Sequence, residues 1–124
     1  MGYPIKLVST KSHLFARWDD GRERFNIECT ALGIVSHPDE HCLRWAMPAT
    51  LVEARDCAYL KSKSPRAELA VFMAARGHCF LDNFRPRDAA NAYAWAFELE
   101  PDCRLHASSM SAALNRWRDR KSVV

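Results

Sequence analysis

The stretch His13-Leu14-Phe15-Ala16-Arg17-Trp18-Asp19-Asp20-Gly21-Arg22-Glu23-Arg24-Phe25-Asn26-Ile27-Glu28 decides how the first part of the chain folds. Asp20-Gly21 is a turn signal, because Asp-Gly readily supplies the positive φ that tight hairpins need. The flanking runs, His13 to Trp18 and Arg24 to Glu28, are rich in aromatic and apolar residues and read as two antiparallel strands. A two-residue turn centred on Asp20-Gly21 sets a register in which Asp19 faces Arg22, Ala16 faces Phe25, Phe15 faces Asn26, Leu14 faces Ile27 and His13 faces Glu28. Alternation sorts the faces. Leu14, Ala16, Phe25 and Ile27 form the expected core side, and His13, Phe15, Asn26 and Glu28 a mixed side.

This register predicts a His13–Glu28 pair. A carboxylate beside an imidazole holds one tautomer and stabilises the imidazolium formed when the other nitrogen takes a proton. His13 is thus a candidate general base and Glu28 its orienter. On pattern alone, a cross-strand ion pair of little energetic weight is the favoured account. The same register sets Arg17 against Arg24, a small repulsive cost.

Working outward, Ile5-Lys6-Leu7-Val8 follows Pro4 as a short strand. Residues 31–47 read as irregular, punctuated by Gly33 and Pro38. From residue 48 the periodicity is helical: Pro48 to about Leu60, Pro65 (with Ser64 as cap) to about Leu81, Arg87 to Leu99, and Arg104 to about Arg118. Ala107, Met110, Ala113, Leu114 and Trp117 recur at helical spacing on the last. The expected class is α+β: a small antiparallel sheet followed by about four helices in antiparallel pairs, divided as 1–47 and 48–124.

The 124 residues are 48% hydrophobic and 27% charged, an ordinary globular balance. A net charge of +3 is no nucleic-acid footprint. The basic group Arg116, Arg118, Arg120 and Lys121 reads as a solvated helix end. No apolar run approaches membrane-spanning length. The five cysteines, Cys29, Cys42, Cys57, Cys79 and Cys103, have no paired spacing and follow no secretory leader, so reduced thiols and a cytoplasmic location are expected. Lys6 stands where a myristoylation signal wants Ser or Thr. His37, His41 and Cys42 have partial metal-ligand spacing, with His78-Cys79 elsewhere, but Pro38 interrupts it and no Cys-x-x-Cys exists. Neither metal nor cofactor is expected.

Tyr3 to Val8, His13 to Trp18 and Arg24 to Glu28, continued by Ser36-His37-Pro38-Asp39-Glu40-His41 and Arg44-Trp45, resemble bacterial transglutaminase-like proteins. The resemblance covers essentially the whole chain, and the hairpin is its most specific part. It implies that His13 is the strand-borne catalytic His and that Glu28, within Glu28-Cys29-Thr30, is the acid of an acid-x-Thr setting. The family's nucleophile is a Cys at a helix start well before the His. Only twelve residues precede His13 here, and none is Cys. The expectation is therefore the His–carboxylate part of a site for acyl transfer or amide hydrolysis through a thioester, inactive by itself. Without the nucleophile-bearing part, Phe15 and the strand edges are expected to lose their cover, which favours a protein partner or a homodimer through the exposed sheet.

Residues 70–103 resemble one tetratricopeptide unit. Ala89 and Ala96 take its small positions, Tyr93 the aromatic of the second helix, Gly77 the small residue of the first and Phe80 the aromatic beyond it, with Leu99-Glu100-Pro101-Asp102 as the ending. Arg76 departs from the usual Leu, and Asn83-Phe84-Arg85-Pro86 is an altered turn. One unit cannot bury its own faces, so the flanking helices serve as caps. A structural bundle and a protein-interaction module both fit.

Overall fold

A computed structural model describes residues 2–30 and 35–122; Gly33, read above as punctuation, lies outside them. The class is α+β: an antiparallel three-stranded sheet precedes five helices. The chain divides into two units, Met1–Ser64 and Pro65–Val124. The seam is therefore later than residue 47, and the segment 48–64 belongs with the sheet.

In the first unit, β1 (Ile5–Ser9), β2 (Leu14–Asp19) and β3 (Arg24–Ile27) pair in chain order, with β2 in the centre. The turn before β2 is closed by Thr10 N–H donating to the His13 carbonyl at 2.8 Å. The β2–β3 loop is four residues long, not two. The Asp20 carboxylate accepts from Arg22 N–H at 2.8 Å and Glu23 N–H at 2.7 Å, and Gly21 has φ +85°. Those two backbone donors also hold the Asp20 carboxyl below its usual range. With the Asp20 carboxylate holding those amides, the turn centres on Gly21-Arg22: Asp20 N–H donates to the Glu23 carbonyl at 3.3 Å, and the strand ladder begins at Asp19↔Arg24. The observed partners are then Trp18↔Phe25, Arg17↔Asn26 and Ala16↔Ile27, a slip of two residues from the expected register. An even slip keeps every side chain on its face. It also removes the Arg17–Arg24 opposition.

The expected core side was the wrong one. Phe15 (4% exposed), Arg17 (0%) and Asn26 (7%) are buried with Val8, while Phe25 and Ile5 on the other face are about half exposed. Phe15 is thus covered, and the face left open is the opposite one. Binary patterning failed because an arginine anchors the interior. Arg17 Nε donates to Asn26 Oδ1 at 2.7 Å, Nη1 to the Leu60 carbonyl at 2.6 Å and Nη2 to Asp39 Oδ1 at 2.5 Å. Asn26 Nδ2 in turn donates to the His37 carbonyl at 2.9 Å and to Asp39 Oδ1 at 2.8 Å. A buried charge is tolerated when its donors are matched in this way.

Asp39 opens α1 (Asp39–Arg44), a six-residue helix in the stretch expected to be irregular. It turns Cys42 inward onto Val8 and Phe15. Helix α2 (Leu51–Asp56) starts at Thr50, where Thr50 and Glu53 form a reciprocal capping box. The chain then returns along the sheet: Leu60 N–H donates to the Ser9 carbonyl at 3.1 Å and Lys63 N–H to that of Leu7 at 3.0 Å. The β1 edge, expected bare, is thereby occupied. Beyond β3, Glu28 and Val35 form a bridge.

In the second unit, α3 (Pro65–Asp82), α4 (Pro86–Leu99) and α5 (Arg104–Ser122) follow one another. Helices α3 and α4 run antiparallel: Arg66, at the start of α3, donates to the Leu99 and Glu98 carbonyls at the end of α4. Ala89, Ala90, Tyr93 and Ala113 form the core, joined by Ala74, Phe80, Leu81 and Met110. At Gly77 the Tyr93 ring lies where a Cβ would sit, with Cε1 2.6 Å from that point. Leu114 is 43% exposed, outside the stripe expected on α5. In the basic group, Arg120 donates to the Phe84 carbonyl and Lys121 lies 4.3 Å from the Trp117 ring centroid. Among the described residues, no helix is long and apolar enough to cross a membrane.

Candidate functional site

The residue before β2, held by the Thr10 turn, is His13. The residue after β3 is Glu28. Extending the ladder one step sets Glu28 opposite Phe15, so His13 lies diagonal to Glu28 rather than across from it. Diagonal neighbours on one face are within reach of long side chains, and here they meet: His13 Nε2 hydrogen-bonds Glu28 Oε2. The other carboxylate oxygen, Oε1, accepts from Thr30 N–H at 2.9 Å and from the Thr30 hydroxyl at 2.7 Å. Both oxygens are therefore held, and the carboxylate plane is fixed.

Burial pushes the Glu28 carboxyl upward. The Thr30 hydroxyl, the His13 ring, the Thr30 N–H and the His13 charge outweigh that push, and the group titrates at about 2. Glu28 is ionised across the ordinary pH range and can only accept. Nε2 must then carry the proton it shares, which leaves Nδ1 as the lone-pair nitrogen. Among the described residues no hydrogen bond reaches Nδ1. The ring is packed from two sides, with Phe15 stacked at 6.3 Å and Trp45 edge-on at 4.8 Å between centroids. Trp45, at the C-terminus of α1, is itself half exposed. The result is an imidazole oriented by a carboxylate and walled by two aromatic rings.

Because the Glu28 carboxyl is depressed below its ordinary 4.5, its contribution to stability is complete above that pH and is lost as pH falls from about 4.5 through about 2. Both side chains keep some water contact, at 14% and 16% exposure. Screening therefore limits the expected effect to about 1–2 kcal/mol. Urea unfolding at pH 7 should show wild type more stable than Glu28→Gln by that amount, and the gap should close near pH 2. A gap independent of pH would mean that the carboxylate charge is not what the pair uses.

Cys42 does not complete the site. Burial pushes the Cys42 thiol up, and the nearby Asp39 and Glu28 charges push it the same way, so it is the reverse of an activated nucleophile. Cys29 is exposed beyond the end of β3, and Cys79 is exposed on α3. The His37 and His41 rings stack at 4.2 Å, but Cys42 faces the interior, so the three do not converge. His78 is taken up by the Tyr93 hydroxyl, 2.7 Å from Nδ1. The sequence pattern had no signal for the role of Arg17 in holding β2, β3 and α1 behind the pair. No protein-family model matches the chain, and neither the curated proteins nor the solved structures include a match.

Proposed function

We propose that the first unit is the base-and-orienter part of a cysteine-dependent acyl-transfer or amide-hydrolysis site of the transglutaminase-like kind, and that the chain alone is not a catalyst. One observation carries the reading: the Glu28 carboxylate is held at both oxygens and bonds His13 through Nε2, leaving Nδ1 to take a proton. An ion pair formed only for stability has no need of a carboxylate fixed by Thr30. The Glu28-Cys29-Thr30 spacing and the strand-borne His13 support the same reading. In this scheme Nδ1 removes the proton of a thiol, the thiolate attacks an acyl carbon, and Glu28 stabilises the imidazolium until the proton passes to the leaving group. Burial and the Asp39 and Glu28 charges hold Cys42 in its thiol form, so in this scheme the nucleophile comes from elsewhere.

Nitrogen NMR should find neutral His13 in the Nε2–H tautomer, with that preference weakened in Glu28→Ala. A dominant Nδ1–H tautomer would remove the basis of the proposal. With iodoacetamide, the chain should show only ordinary thiol rates, unchanged by His13→Ala. Rapid single-site labelling abolished by that substitution would instead make the chain self-sufficient.

A further inference from the structure

We infer that Glu100, Cys103 and His106 form a binding site for a zinc-class divalent cation at the junction of α4 and α5. Their ligand atoms all lie within 4.8 Å of one another, the one such grouping of three or more among the described residues. Cys103 and His106 are buried at 4% and 8% exposure, and His106 Nε2 is 3.2 Å from Glu100 Oε2. This site is separate from the His13–Glu28 pair and does not depend on the function proposed for it.

Backbone geometry gathers the three. Cys103 N–H donates to the Glu100 carbonyl at 3.2 Å, and His106 N–H to the Cys103 carbonyl at 3.1 Å. The first bond closes a turn over Pro101-Asp102, with Glu100 in a non-helical conformation, and the second starts α5 just after Cys103. The turn and the first turn of α5 together bring Glu100, Cys103 and His106 to one place at the junction. The Glu-x-x-Cys-x-x-His pattern is visible in the sequence, but it gathers ligands only with this turn.

The donor set selects the metal. One sulfur, one imidazole nitrogen and one carboxylate oxygen suit a borderline-soft ion, whereas calcium and magnesium want an all-oxygen shell. Four-coordinate zinc holds its ligand atoms roughly 3.3–3.7 Å apart, so binding would draw together three side chains whose ligand atoms already lie within 4.8 Å of one another. Three protein ligands leave one position for water or an exogenous ligand. Binding forms the metal–sulfur bond as the Cys103 thiol releases its proton to solvent, and His106 must offer Nε2 as a lone pair. Affinity therefore rises with pH.

Cobalt(II) is the probe. One equivalent added to the reduced full chain should produce tetrahedral ligand-field bands and a thiolate-to-cobalt charge-transfer band, displaced by zinc. Cys103→Ser should abolish the charge-transfer band, and His106→Gln or Glu100→Gln should weaken binding at least about tenfold. Cys42→Ser and His37→Gln should leave it intact. Cadmium NMR of wild type, which avoids any folding defect of a variant, should report a single sulfur ligand. No charge-transfer band at one equivalent, a band that survives Cys103→Ser, or a cadmium shift without sulfur would each overturn the inference.

Discussion

Replacing Arg17 with alanine should destabilise the first unit by about 3–5 kcal/mol, the range for breaking a buried charge pair by removing one partner. The guanidinium is fully buried and serves three acceptors on three different segments: Asn26 on β3, Asp39 at the start of α1 and the Leu60 carbonyl. Its removal leaves the partly exposed Asp39 without its cation, and Asn26 Oδ1 and the Leu60 carbonyl without this donor. Arg17→Lys should recover little, because one ammonium cannot reproduce a planar fork aimed at three points. Hydrogen exchange of the β2 and β3 amides, with urea unfolding, measures the loss. A cost below about 1 kcal/mol would mean that the network is incidental. Since His13 immediately precedes β2 and Glu28 immediately follows β3, the same substitution should also loosen the proposed base.

The second large effect lies in the helical unit. Tyr93→Ala should cost about 3–5 kcal/mol, the range for emptying a buried aromatic site. Tyr93 is 1% exposed, seated on Gly77 and tied to His78 through its hydroxyl. Burial also pushes that hydroxyl's pKa up, so it stays protonated. Gly77→Ala tests the same contact from the other side. Alanine is favoured over glycine in a helix by about 1 kcal/mol, but its Cβ would fall 2.6 Å from Tyr93 Cε1. The ring is held by the surrounding core and cannot step aside freely, so a net loss of about 1–3 kcal/mol is expected. Thermal unfolding followed by circular dichroism reads both. A stabilised Gly77→Ala protein would show that the ring can move.

The class, the three strands and the three longer helices were legible because each follows a strong local rule: alternation, the Asp20-Gly21 turn, Ser64-Pro65 at a helix start, and helical spacing of small and aromatic residues. Register was not, because the turn centres on Gly21-Arg22, with the Asp20 carboxylate holding two of its backbone amides. The pairing of His13 with Glu28 survived only because the slip was even. The buried face was misread because apolar count pointed to Leu14, Ala16, Phe25 and Ile27, and nothing in a binary pattern announces an arginine whose donors are all satisfied. Helix α1 was missed because six residues barely span two turns of periodicity; α2, equally short, was read only as part of a longer stretch, Pro48 to about Leu60. The division at residue 47 failed for a related reason: helical pattern grouped α2 with the later helices, while the returning segment at Leu60–Lys63 binds it to the sheet. Glu100, Cys103 and His106 went unremarked because their convergence depends on a local turn.

The hydrogen bonds from Leu60 and Lys63 to β1 have a temporal consequence. A chain emerging from the ribosome can form the three strands as soon as residue 28 is out, since all their pairings are local. It cannot yet supply the Leu60 carbonyl to Arg17 or the two amides to Ser9 and Leu7. Until Leu60 to Lys63 are made, the interior guanidinium lacks one of its acceptors, and β1 lacks its outer neighbour. Strand β1, made before β2 and β3, is therefore secured on its outer edge only after both of them are paired.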